Sequence, residues 1–161
     1  MSQSAETNIQ IGQIFVSELS FSHRGQPQQM PTNTPIGELP LALEVSIATD
    51  GDGKKAFVVL RVMTRDDEDP IYRFSVTMMG IIWMTGEQTL DDDPFKRYLY
   101  QGAPATMYPF MRECIANLTS RGRFGPVWVK PMNFEIIGEK LLQQQQQNEA
   151  AKGQVTTTSI D

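Results

Sequence analysis

Cysteine and histidine are nearly missing: the chain holds one of each, Cys114 and His23. One thiol permits no internal disulfide and no cysteine-built zinc site. Long apolar stretches are missing as well. Runs such as Ile81-Ile82-Trp83-Met84 fall far short of the roughly 20 residues that cross a bilayer. Clusters of basic residues are absent, and the formal net charge is −5. Phosphate contacts need gathered Lys and Arg, so this balance speaks against a nucleic-acid partner. The opening residues MSQSAETNIQ show neither a basic start nor an apolar stretch. The expectation is a chain without a secretory leader, in the cytoplasm and not inserted in a membrane.

What is present suits one packed domain. The chain has 161 residues, 40% hydrophobic and 20% charged, enough to bury a core without staples. Residues 1–7 are polar and are expected to be flexible. From Ile9, apolar side chains recur at odd positions (Ile11, Phe15, Leu19, Phe21), a period of two that reads as a long strand. In that reading Ile14 and Val16 fall on the opposite face. Residues 22–40 are rich in Gln, Pro, Gly and Thr, a connection long enough to need a purpose. Leu41, Leu43, Val45 and Ile47 alternate with smaller or polar residues and give a second strand. Residues 57–63 and 72–78 give a third and a fourth. Short polar turns join these three, so they pair as antiparallel neighbours.

The period then changes. Met107, Phe110, Met111, Cys114, Ile115 and Leu118 form an apolar stripe on a helix. Pro109 is placed in its first turn and Gly122 just beyond its end. A second helix starts at Asn133, a good N-cap, and carries Phe134, Ile137, Leu141 and Leu142. Residues 148–161 read as a disordered polar tail. Strands first and helices last make an α+β domain.

No residue group carries catalysis. Cys114 sits in the apolar stripe, while a reactive thiol needs an electropositive setting and a base. Adjacent Arg112 and Glu113 splay about 100° apart on a helix and reach different neighbours. Asp50-Gly51-Asp52-Gly53 lacks the Glu of a calcium loop, with Arg61 at the twelfth position, and reads as a hairpin turn. No nucleophile elbow, P-loop or dinucleotide fingerprint occurs. The expectation is no enzyme, no metal and no cofactor. What stays unexplained is apolar surplus at residues 78–84 and at Phe124, Val127, Trp128 and Val129. Such segments either pack beneath loops or form a groove or subunit interface.

PFMRECIANLTSRGRF from Pro109, followed by KPMNFEIIGEKLLQQQQQ, resembles the C-terminal half of the SecB protein-export chaperones. Matching positions include Pro109, Arg112, Glu113, Cys114, Ile115, Ser120, Arg121, Gly122, Phe124, Pro131, Asn133 and Phe134. The first strand is similar too, and the likeness spans residues 8–147. It implies a four-stranded antiparallel sheet with two C-terminal helices, assembled as a dimer of dimers. Phe110, Met111, Cys114, Ile115 and Leu118 would then form the oligomer interface. It further implies an ATP-independent holdase that keeps unfolded precursor proteins in apolar grooves and delivers them to the SecA motor. Carried over by position, the client groove would comprise Leu41, Leu43, Val45, Met78, Ile81, Ile82, Trp83, Phe124, Val127, Trp128, Phe134 and Ile137. Glu18 matches an acidic position used to dock SecA, whereas Ser22 and Ser75 stand where the family has acids. Two variants fit the same residues: a SecB-like chaperone dedicated to one partner such as an antitoxin, and an oligomeric interaction domain without holdase activity.

Overall fold

Alternation of inward apolar and outward polar side chains builds four long strands in the computed structural model, which describes residues 8–23, 39–65, 71–90, 92–149 and 156–160. They are β1 (Asn8–His23), β2 (Leu41–Thr49), β3 (Lys55–Thr64) and β4 (Tyr72–Thr85). On β3 and β4 every second residue is buried, the mark of a sheet with one face packed and one face wet. The turn between β2 and β3 is the expected hairpin. Asp50 Oδ1 accepts the N–H groups of Lys54 and Lys55 at 3.0 and 3.2 Å, and Gly53 takes φ 66°.

With a fifth strand, β5 (Thr156–Ile160), the order is β1-β4-β3-β2-β5, antiparallel throughout. β1 therefore pairs with β4, and the chain must pass from one side of the four-strand core to the other before β2. Three strand spacings, about 14 Å, separate those positions, which gives the long connection its purpose. Residues 24–38 of it lie outside the described residues.

Two expectations about β1 change. Pairing jumps between Ile11 and Gln13 and again between Val16 and Glu18, so Gly12 and Ser17 are bulged. Each extra residue flips the phase. Ile9, Ile11, Ile14, Val16, Leu19 and Phe21 then all stand opposite inward residues of β4, from Met84 to Phe74. Phe15, opposite Met79, faces outward. Gly12 is forced by space: a Cβ there would lie 2.5 Å from Trp83 Nε1.

Among the described residues three helices, not two, cover the inner face. α1 (Asp93–Tyr100) follows Asp92 as N-cap with Pro94 in its first turn, and buries Leu99 and Tyr100. α2 (Gly102–Thr119) begins earlier than expected, so Pro109 lies inside it and the proline of the first turn is Pro104. Pro109 offers no N–H to the carbonyl four residues back and is exposed. Gly122 is not left-handed. It is small because a Cβ would collide with the Tyr72 ring, and the left-handed residue is Gly125, φ 82°. α3 (Phe134–Glu149) starts where Asn133 Oδ1 accepts the N–H of Glu135 at 3.0 Å.

The tail also differs from the reading of disorder. α3 runs to Glu149, and Thr156–Ile160 forms β5, antiparallel to β2 from Leu41 to Val45. The expected flexible segment 1–7 lies outside the described residues. The core fills the space between sheet and helices, with Leu43, Leu60, Ile82, Met107, Met111 and Ile115 fully buried. α2 comes closest at Gly80, where a Cβ would meet Met107 Sδ at 2.8 Å.

Candidate functional site

Tyr72, the first residue of β4, organises the loop between α2 and α3. Its hydroxyl accepts the N–H of Phe124 at 2.8 Å and donates to the Gly125 carbonyl at 3.2 Å. Around it, Phe21 and His23 meet the Tyr72 ring edge-on, and His23 stacks on Phe124 with centroids 5.6 Å apart. Further along, Thr119 Oγ1 accepts the Val127 N–H at 2.8 Å, Arg112 Nε donates to the Val129 carbonyl at 2.7 Å, and Tyr108 donates to the Lys130 carbonyl at 2.8 Å. Burial pushes the Tyr108 phenol up to about 12, with Arg112 pulling the other way.

Between those pinned neighbours stands Trp128, 72% exposed. A large flat apolar side chain is thus held in water on a tethered loop. Val127 and Phe124 flank it, both half-buried. Ile137 is half-buried on the first turn of α3, and Ile136 beside it is 57% exposed.

A second apolar patch lies at the other end of β4, on the outer face of the sheet. Trp83 is 47% exposed. Lys55 places its ammonium 4.5 Å from the Trp83 ring centroid and 5.1 Å from that of Phe57. Ile81 pairs across to Phe57. Eleven residue steps along the strand separate Tyr72 from Trp83, about 36 Å, so the expected groove residues form two patches in one chain, not one. The remaining six, Leu41, Leu43, Val45, Met78, Ile82 and Phe134, are buried in the core of their own chain.

The helical trio resolves into structure. Arg112 reaches the loop as described, and Glu113 Oε1 accepts from Asn117 at 3.5 Å on the wet side. Cys114 is half-buried, and burial, then the Glu113 carboxylate, push its thiol up, away from the thiolate that reactive cysteines need. Of the expected interface stripe, Met111, Ile115 and Leu118 turn to the sheet and are buried, while Phe110 is 56% exposed. Val16 and Leu19 on β1 are 42% and 48% exposed, on the inward face but beyond the helices' cover. Leu19 was expected on that face, whereas Val16 reaches it only through the bulge at Gly12.

Glu18 is exposed on the outer face, opposite Thr77. Its surroundings are not acidic. Ser75 Oγ accepts from Arg61 Nε at 3.0 Å, Arg61 also meets Glu44 at 3.4 Å, and Ser22 pairs with Arg73. Ser22, Arg61, Arg73 and Ser75 line a 260 Å³ depression with Ser20 and Met63. A wider depression of 560 Å³ lies between α1 and α3, where Arg97 and Glu139 pair at 2.7 Å.

Comparison with known proteins returns a consistent answer. A family model described as "SecB: Preprotein translocase subunit SecB" matches residues 2–149. The Protein-export protein SecB of Alcanivorax borkumensis is 24% identical over 157 residues, covering 96% of this chain and 98% of the relative. That of Idiomarina loihiensis is 27% identical over 154 residues, covering 96% and 90%. Among solved structures, a Mycobacterium tuberculosis SecB-like chaperone in complex with a ChAD peptide from the HigA1 antitoxin superposes with a TM-score of 0.59. It is 14% identical, and the match covers 78% of this chain and 88% of that one.

Proposed function

The chain belongs to the SecB family of protein-export chaperones, and from that premise we propose that it is an ATP-independent holdase for unfolded precursor proteins in the cytoplasm. The observation that carries the reading is Trp128, exposed to 72% on a loop fixed from both sides. A holdase must accept many sequences, and flat aromatic and flexible apolar surfaces do so without demanding a shape. Ile81, Trp83, Phe124, Val127, Trp128 and Ile137 are the side chains free to touch a client. Leu41, Leu43, Val45, Met78, Ile82 and Phe134 support them from below. No described helix is long and apolar enough to cross a membrane.

Assembly as a homotetramer, a dimer of dimers, belongs to the same proposal. It is supported by apolar surface that one chain leaves uncovered: Phe110 on α2, with Cys114 beside it, and Val16 and Leu19 on the edge strand β1. Edge strands of that length and character are covered in stable proteins. Met111, Ile115 and Leu118 hold α2 in place and set the direction of Phe110.

The test is light scattering of a chemically unfolded, slow-folding secretory protein diluted into buffer without ATP. Suppression near stoichiometric ratios is the expected result, and undiminished aggregation overturns the holdase reading. SecA would be the recipient, with Glu18 on the docking face. A second reading, a chaperone dedicated to one partner, is favoured by one observation: Arg61 and Arg73 flank Ser75 and Ser22 where acidic docking needs carboxylates. Binding of SecA to the assembled protein, compared with and without Glu18→Ala, decides between them.

A further inference from the structure

We infer that the outer face of the sheet docks an acidic amphipathic helix of a partner protein. The inference gives the partner's chemistry for the second reading above, a dedicated partner, and rests on that reading. The strand registers lay the outer face out as a grid. Its middle is apolar: Met79 stands between Phe15 and Val59, and Ile81 lies opposite Phe57. Phe15 is exposed and the other four are half-buried. Along β3 a cation bounds this band at each end, Lys55 on one side and Arg61 on the other. Past Arg61 comes the 260 Å³ depression, where Arg61 and Arg73 share the lining with Ser20, Ser22 and Ser75. Guanidinium groups beside hydroxyls are the chemistry that holds a carboxylate.

Charge and backbone both narrow the occupant. The paired outward positions of β1 to β4 carry three cations, Lys55, Arg61 and Arg73, against two carboxylates, Glu18 and Glu44. The whole chain carries −5, so this face runs against the sign of the rest. Glu44 is tied to Arg61 at 3.4 Å. Glu18 lies at the β1 margin, two strand spacings from Arg61, about 10 Å. A sheet offers a partner on its face only side chains, because its backbone groups are spent in the ladders. The occupant must therefore satisfy its own N–H and C=O groups, as a helix does. Lys55 and Arg61 are six residue steps apart, about 20 Å, the length of about 13 helical residues. Such a helix turns apolar side chains to the band and carries Asp or Glu near both ends.

The test is anisotropy of a fluorescein-labelled, hydrocarbon-stapled helix of about 14 residues, with Leu and Phe on one face and Glu at both ends. Two twins carry Lys or Gln in place of Glu. Each peptide is titrated with the assembled full chain and with its R61Q/R73Q and E18A variants. The Glu peptide is expected to bind tightest. Its affinity should fall about 3- to 10-fold in R61Q/R73Q and rise about 2- to 5-fold in E18A. Equal binding of the Gln twin to the unaltered chain and R61Q/R73Q shows that the double variant keeps its fold. Should that variant unfold, the E18A comparison alone decides, and a Glu peptide that gains nothing there overturns the inference. A Glu peptide bound no tighter than its Gln twin overturns it as well. So does binding of none of the three, the outcome when a second copy covers the band. Those results leave the dedicated-partner reading to the SecA comparison. Tightest binding of the Lys twin, lost in E18A, overturns both.

Discussion

Phe124 donates its backbone N–H to the hydroxyl of Tyr72 over 2.8 Å, so the first residue of a strand holds the loop that carries Trp128. Tyr72→Phe removes that acceptor and the donor to Gly125 while keeping the buried ring. It is expected to cost about 1–3 kcal/mol, the range for leaving a buried polar partner unsatisfied. Urea unfolding reads the cost, and faster amide exchange at Phe124 locates it.

Trp128→Glu is expected to weaken client holding several-fold without loss of assembly. An exposed side chain contributes little to folding, within about 0.5 kcal/mol, so the melting temperature should stay put. Aggregation suppression and thermal unfolding, measured on one preparation, separate the two effects.

The α2 residues should divide by face. Met111→Ala and Ile115→Ala hollow the core of the chain and are expected to cost about 2–5 kcal/mol each. Phe110→Asp leaves that core intact and should instead lower the assembly mass seen by light scattering. A tetramer that survives Phe110→Asp would remove α2 from the interface.

Alkaline pH should destabilise the fold. Burial raises the Tyr108 and Tyr100 phenols to about 12 from an ordinary 10, with Glu149 adding to the shift at Tyr100. Below pH 10 both states keep these protons and the groups contribute no pH dependence. Above it the unfolded chain loses them first, so stability falls from pH 10 through about 12. Tyr100→Phe should flatten that decline in urea midpoints taken against pH.

Cys114 should alkylate slowly. Its thiol is pushed up by burial and by Glu113, so the reactive thiolate is scarce at neutral pH. Iodoacetamide labelling at pH 7.5 should run slower than for glutathione, and Glu113→Gln should quicken it.

Legibility followed the strength of the local signal. β2 to β4 were readable because alternation and turn chemistry agree, as at Leu41-Ala42-Leu43 and Asp50-Gly51-Asp52-Gly53. β1 was readable as a strand but not in its facing, because bulges at Gly12 and Ser17 shift the phase twice and leave no mark in the periodicity. α1 carries a start signal in Asp92, Asp93 and Pro94, but eight residues are a short window for helical periodicity. Pro109 misled because a proline marks a first turn far more often than a helix interior. At the site, the apolar surplus at Trp83 and Trp128 was visible, and both prove exposed. Which other apolar residues lie beneath them was not visible, since burial is a property of neighbours. The hold of Tyr72 on Phe124 spans 52 positions, and no pattern in a single sequence announces such a contact.

The pairing of β1 with β4 sets the order of assembly during synthesis. β1 leaves the ribosome first, yet its partner emerges only after β2 and β3 have been made, with Asn8 waiting for Thr85. Until then this sixteen-residue strand lacks its β4 partner. Contacts of such long reach are slow to form and expose the chain to self-association meanwhile. β5, made last, closes the opposite side of the sheet, so a nascent chain passes through a stage in which both margins stand open. Chains made close together on one message would meet in that state, which favours pairing with a sibling over pairing with a stranger.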